Sequence, residues 1–124
     1  MVDNEVREGS ELDIALEHVG DHSIVVLSGE VDVYSAPKLR DTIKNLVEEG
    51  RYRIVVDLED VAFLDSTGLG VLVGGLKRVK HHQGDLGIIC NQERILRIFR
   101  ITGLTKVFTI YSSREDLLAS IKGA

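Results

Sequence analysis

From Leu12 to Val19 the chain reads Leu12-Asp13-Ile14-Ala15-Leu16-Glu17-His18-Val19, an alternation at the two-residue period of a half-buried strand. Gly20-Asp21 supplies a turn, and Ser23 to Glu30 gives a second strand, so the pair predicts an antiparallel hairpin. After Val31-Asp32-Val33-Tyr34 the pattern changes. Ser35-Ala36-Pro37 resembles a helix start, with Ser35 as the cap and proline in the first turn, where its missing N–H costs little. Leu39, Ile43, Leu46 and Val47 then form the buried stripe, closed by Glu48-Glu49-Gly50. Arg51 to Leu58 packs β-branched and aromatic residues into a continuous run, as an interior strand does. Leu69, Leu72, Val73, Leu76 and Val79 recur at helical spacing in a segment running to about Gln83, and Asp85 to Cys90 forms the next strand. A strand, a crossover helix and a strand make a βαβ unit, so these two strands should be parallel. Gln92 to Ile101 predicts a third helix with Ile95, Ile98, Phe99 and Ile101 inward, ending before Gly103. Lys106 to Tyr111 predicts a last strand. Ser112-Ser113-Arg114-Glu115 opens a C-terminal helix as a capping serine with an acidic residue three positions on, with Leu117, Leu118 and Ile121 inward. The sum is an α/β fold: a mixed sheet of four to five strands with about four helices packed mainly on one face.

The junction between the third strand and its crossover helix carries the most distinctive residues, Phe63-Leu64-Asp65-Ser66-Thr67-Gly68-Leu69-Gly70. Asp65, Ser66 and Thr67 are all types whose side-chain oxygens cap unpaired helix N–H groups. The same N–H groups and the helix dipole favour an added anion, so a serine stands where a phosphate is tolerated. If the strands ending at Asp32 and Asp65 are neighbours, their carboxylates gather around that hydroxyl.

Size and charge narrow the partners. At 124 residues the chain makes one domain, here 12–124, after a polar leader over 1–11 to which no function is assigned. Its 20 acidic and 15 basic residues leave a net charge of −5, so no field draws it to nucleic acid or to an anionic membrane. With no apolar run of about 20 residues and an acidic N-terminus unlike a secretory leader, the chain is expected to be soluble and cytoplasmic. Cys90 is the single cysteine and reads as a small core residue.

Other chemistries fit poorly. Gly68-Leu69-Gly70 opens a helix after a strand, and Asp85 follows at a distance suited to a ribose, but the third glycine of a dinucleotide fingerprint would fall at Val73. Gly70 and Gly74 are better explained by close approach of the helix to the sheet or to a neighbouring helix. A nucleophilic serine needs a base, and none of His18, His22, His81 and His82 is placed to serve, the last two lying at the far end of the helix that Ser66 begins. Adjacent histidines without a third ligand make no metal site, so no metal or other cofactor is expected.

These residues also carry a resemblance. Gly29-Glu30-Val31-Asp32 and the run from Val56 through Asp65-Ser66-Thr67-Gly68-Leu69-Gly70 resemble the anti-sigma factor antagonists, built of a single STAS domain. Cys90 to Leu104 looks most like the BldG-type antagonists of actinobacteria, and the similarity spans Leu12 to the C-terminal helix. The resemblance implies partner switching. The unphosphorylated protein binds an anti-sigma factor that is also a serine kinase and so releases a sigma factor, phosphorylation ends that binding, and a serine phosphatase resets it. By motif match the phosphoacceptor is Ser66, and the partner surface comprises Asp32, Tyr34, Ser35, Asp65, Ser66, Thr67, Gly68 and Leu69. A weak homodimer through exposed strand edges is a further expectation. Two other readings stand beside this one. The first is a nucleotide-sensing module whose helix start holds a nucleotide phosphate. The second is a structural STAS module of a larger signalling assembly, which usually carries an N-terminal sensor domain for which eleven leading residues leave no room.

Overall fold

A computed structural model describes residues 11–123, and the polar leader expected over 1–11 lies outside them except for Glu11. The chain runs β1 (Leu12–Val19), β2 (His22–Val31), α1 (Ala36–Glu48), β3 (Arg53–Leu64), α2 (Ser66–Lys80), β4 (Asp85–Ile89), α3 (Glu93–Ile101), β5 (Thr109–Tyr111) and α4 (Arg114–Gly123). One sheet holds all five strands in the order β1-β2-β3-β4-β5. β1 pairs antiparallel with β2 through the Gly20-Asp21 turn, and every later pair is parallel.

Because each crossover steps one strand further in the same direction, connections of one hand put their helices on one face. Buried residues of α1, α2 and α3 accordingly share one core with Val25, Leu27, Ile54, Val56, Leu86 and Ile88. Among the described residues α4 alone covers the other face, setting Leu117 on Ile24, Val55 and Ile89. The alternating sides of β2 and β3 therefore both meet apolar cover, which is why β3 reads as a continuous apolar run.

Several expectations need correction. The strand expected to end at Leu58 continues to Leu64, because β2 pairs with it to the end, Val31 opposite Leu64. Two register shifts, between Val26 and Ser28 and between Gly29 and Glu30, put the extra residues in β3 and hid its length from a period-two reading. The last strand begins at Thr109, because the N–H groups of Val107 and Phe108 turn back to Leu104 O in a single 3₁₀ turn over Leu104–Lys106. The helix expected to reach Gln83 stops at Lys80; Gln83 takes φ 59° and Gly84 N–H closes on Val79 O. Ile101 points outward at 76% exposure, leaving Ile95 and Phe99, four apart, as the buried stripe of α3. Ser113, not Ser112, caps α4, its Oγ accepting from Asp116 N–H at 3.0 Å. The glycines in close contact are also different ones. A Cβ at Gly70 or Gly74 would meet nothing within 4 Å, whereas one at Gly75 would lie 3.0 Å from Leu86 and 3.2 Å from Ile43, where α2 crosses α1 and the sheet.

Candidate functional site

β2 and β3 end level with one another, and each passes directly into a turn governed by an aspartate. After Val31, the Asp32 Oδ1 accepts from Tyr34 N–H at 2.9 Å and Ser35 N–H at 3.0 Å, while Asp32 O accepts from Ala36 N–H at 2.8 Å. This is N-cap geometry, the carboxylate receiving the N–H groups two and three residues on. Ser35, expected to cap α1, makes no such bond. Its hydroxyl instead donates to Glu30 O at 2.7 Å and accepts from Asp32 N–H at 3.0 Å, stitching the turn to the strand behind it. After Leu64, the arrangement repeats. Asp65 Oδ1 accepts from Gly68 N–H at 3.0 Å, so the expected cap of α2 is present. Asp65 N–H donates to Val31 O at 3.1 Å, tying the second turn to the first.

Ser66 is the first residue of α2 and, like Thr67, is exposed. Tyr34 stands out at 74% exposure, and Asp32, Asp65 and Leu69 are half-buried. The structure thus brings the eight expected site residues to one end of the sheet. Two of them do not face solvent. Ser35 is 3% exposed, and Gly68 is buried where a Cβ would lie 2.5 Å from Val31 Cγ1 and 2.7 Å from Leu64 Cδ1. They build the site rather than line its surface. Gly68 does so by letting the first turn of α2 rest on the two strand ends.

The sequence reading missed Val33 and Phe63, exposed at 57% and 47% on either side of the two turns. Phe63 escaped the pattern because the register shift between Val61 and Phe63 breaks the alternation just before it. It also missed a pair of side chains that hold β3 in place. β4 stops pairing with β3 at Asp57, leaving the edge of β3 beyond it without a strand partner. Gln92 Nε2 fills that gap, its two hydrogens shared among Leu58 O, Glu59 O and Val61 O at 2.9, 3.0 and 3.0 Å, and Arg94 donates to Ala62 O. No local signal marks this role, because the acceptors lie 31 to 34 residues away.

The site's chemistry is that of an exposed hydroxyl on a helix N-terminus. All four histidines lie at the opposite end: His18 and His22 flank the β1–β2 turn, and His81 and His82 follow α2 after it has run back along the sheet. His82 stacks on Tyr52 there, with ring centroids 4.2 Å apart. Ser66 therefore has no imidazole base. The same geometry separates Asp85, opposite Arg53 at the start of β3, from Gly68, so they cannot share a dinucleotide. The steady strand order also lacks the reversal at which open α/β sheets form a nucleotide crevice. Among the described residues no cluster of three or more His, Cys, Asp and Glu could hold a metal ion, and no helix is long and apolar enough to cross a membrane. Burial raises the Asp57 carboxyl, opposed by the hydrogen bond from Glu59 N–H, and burial with the neighbouring Asp57, Glu115 and Asp60 raises Glu59. Burial also raises the Cys90 thiol, consistent with an unreactive core residue.

Residues 13–117 match the STAS domain. This chain belongs to the STAS domain family. It is 45% identical over 91 residues to the anti-sigma-B factor antagonist of Bacillus subtilis, covering 73% of this chain and 83% of that protein. The corresponding protein of Listeria monocytogenes is 36% identical over 97 residues, covering 78% and 85%. Among solved structures, an anti-sigma factor antagonist from Mycobacterium paratuberculosis superposes on this STAS domain with a TM-score of 0.83 at 28% identity, covering 94% of this chain and 99% of the other.

Proposed function

We propose that this protein is an anti-sigma factor antagonist switched by phosphorylation of Ser66. The observation that carries the reading is the exposed Ser66 hydroxyl, set on the first turn of α2 beside two aspartate-capped turns and without a histidine near it. The likeness to anti-sigma-B factor antagonists supports the class of partner. Unphosphorylated, the protein binds an anti-sigma factor that is also a serine kinase, through Tyr34, Thr67, Leu69 and the exposed Val33 and Phe63, and a sigma factor is released. The kinase transfers the terminal phosphoryl group of ATP to Ser66 Oγ, which loses its proton, and ADP departs. A separate serine phosphatase hydrolyses the ester. The protein itself performs no catalysis and acts in the cytoplasm.

The switch needs no refolding. Phosphate brings about −1.5 to −2 charges and three acceptor oxygens, which a helix N-terminus accommodates. In a packed interface the same group is bulky, and it stands beside the carboxylates of Asp32 and Asp65. A coupling of about 1–3 kcal/mol changes affinity roughly 5- to 150-fold, enough to redirect a partner shared between two competitors.

Ser66→Ala should bind the anti-sigma factor as the parent does and take up no phosphate from it. Ser66→Asp should weaken binding within that same range without loss of fold. Titration calorimetry, with mass spectrometry after kinase and ATP, checks both. Phosphate mapped to another residue, or equal binding by the parent before and after modification, rules the switch out.

A further inference from the structure

α2 carries a second surface that begins where the Ser66 site ends. Ser66, Gly70, Val73, Lys77 and Lys80 follow one another at intervals of four, three, four and three residues, which places them on a single outward stripe. Along its second half this stripe becomes one wall of an open groove of about 590 Å³, whose other wall is the segment joining α3 to β5. Val73, Leu76, Leu104 and Val107 form the apolar floor and far side, with Val107 50% exposed. The charged lining is of one sign, Lys77 and Lys80, with no carboxylate. Lys80 lies 3.4 Å from Asp85 but remains 58% exposed. On a chain of net charge −5 this lining is cationic, with Lys77 as the lysine that makes no ion pair with Asp85.

We propose that this groove docks an acidic amphipathic helix of a protein partner. An apolar floor with lysines along the rim is complementary to leucine-type side chains on one side and carboxylates on the other. At about 1.5 Å per residue the groove begins about 10 Å from Ser66 and ends about 21 Å away. Exposed charges that far apart are largely screened, the Debye length being about 8 Å at physiological salt. The groove therefore holds its occupant equally in both states of Ser66. It offers a grip to a protein that must meet this domain before and after modification. Docking itself depends only on the groove lining, whereas its constancy across the two states of Ser66 rests on the switch proposed above.

The test uses the full chain and a fluorescein-labelled helical peptide of roughly 15 residues, leucine on one stripe and glutamate with alanine elsewhere. Anisotropy should show saturable binding that weakens with salt. Lys77→Glu and Val107→Asp, both exposed and so expected to fold as the parent by circular dichroism, should each weaken it about tenfold or more. Lys77→Glu should in turn bind better a peptide with lysine in place of glutamate. Ser66→Asp should leave affinity within about twofold. Amide shifts in a heteronuclear NMR titration should centre on Val73, Leu76, Lys77 and Val107. Shifts centred elsewhere, equal binding of the glutamate and lysine peptides to the parent, or no saturable binding would overturn the proposal. Concentration-dependent dimerisation abolished by Val107→Asp would overturn it too, by making a second copy the occupant.

Discussion

At the scale of single residues, the site depends on one absent side chain as much as on any present one. Gly68 lies against Val31 and Leu64, and its amide hydrogen is the one that the Asp65 carboxylate receives. Gly68→Ala forces a methyl into a packed junction of backbone-anchored side chains, so a loss of about 1–3 kcal/mol is expected in urea unfolding. The same change lifts the first turn of α2 and should slow phosphorylation of Ser66 in a kinase assay even where the fold persists. The motif was legible at this scale: Asp65 caps as its type and place implied, and Ser66 and Thr67 are exposed. Ser35 was misassigned for a physical reason. Serine caps and serine turn-locks use the same hydroxyl, and only the return of the chain past Glu30 O decides which acceptor it reaches.

Among the elements, β3 bears the greatest demand. It delivers Ser66, yet beyond Asp57 one of its edges has no strand beside it. Gln92 stands in for the missing strand with hydrogen bonds to three carbonyls. Gln92→Leu keeps the bulk and removes the donors, leaving buried carbonyl groups unpaired at an expected cost of about 1–3 kcal/mol. Hydrogen exchange followed by mass spectrometry should show faster labelling over residues 58–64 in that variant, with β2 and α1 little changed. Protection retained over 58–64 would mean that β2 alone holds this stretch. Strand and helix positions were largely readable from periodicity, because alternation and 3.6-residue spacing report burial directly. The length of β3 was not, since its bulges break the alternation at the very residues that lead to the site.

For the molecule as a whole, three helices on one face and one on the other leave Asp57 enclosed under the lightly covered side, 5% exposed and 3.9 Å from the Arg114 guanidinium. Burial raises its carboxyl pKa above the unfolded value, so the folded state binds that proton more tightly than the unfolded chain. Asp57 then contributes stability that is fully present below its unfolded pKa and lost as pH rises through its folded one. Asp57→Asn should melt above the parent at pH 7, and the gap should close as pH falls below the carboxylate range, which thermal melts across pH would register. A lower melting temperature for the variant at pH 7 would mean that the pairing with Arg114 outweighs the burial. The sequence by itself determined the α/β class, the order of the elements, the Asp65 cap and the hydroxyl it presents, because these follow from local periodicity and side-chain chemistry. Tertiary structure alone decided that the ends of β2 and β3 lie level, that Gln92 guards the edge of β3, and that a cationic groove continues the stripe of Ser66. Each of those depends on contacts between residues far apart in the chain, which no local pattern encodes.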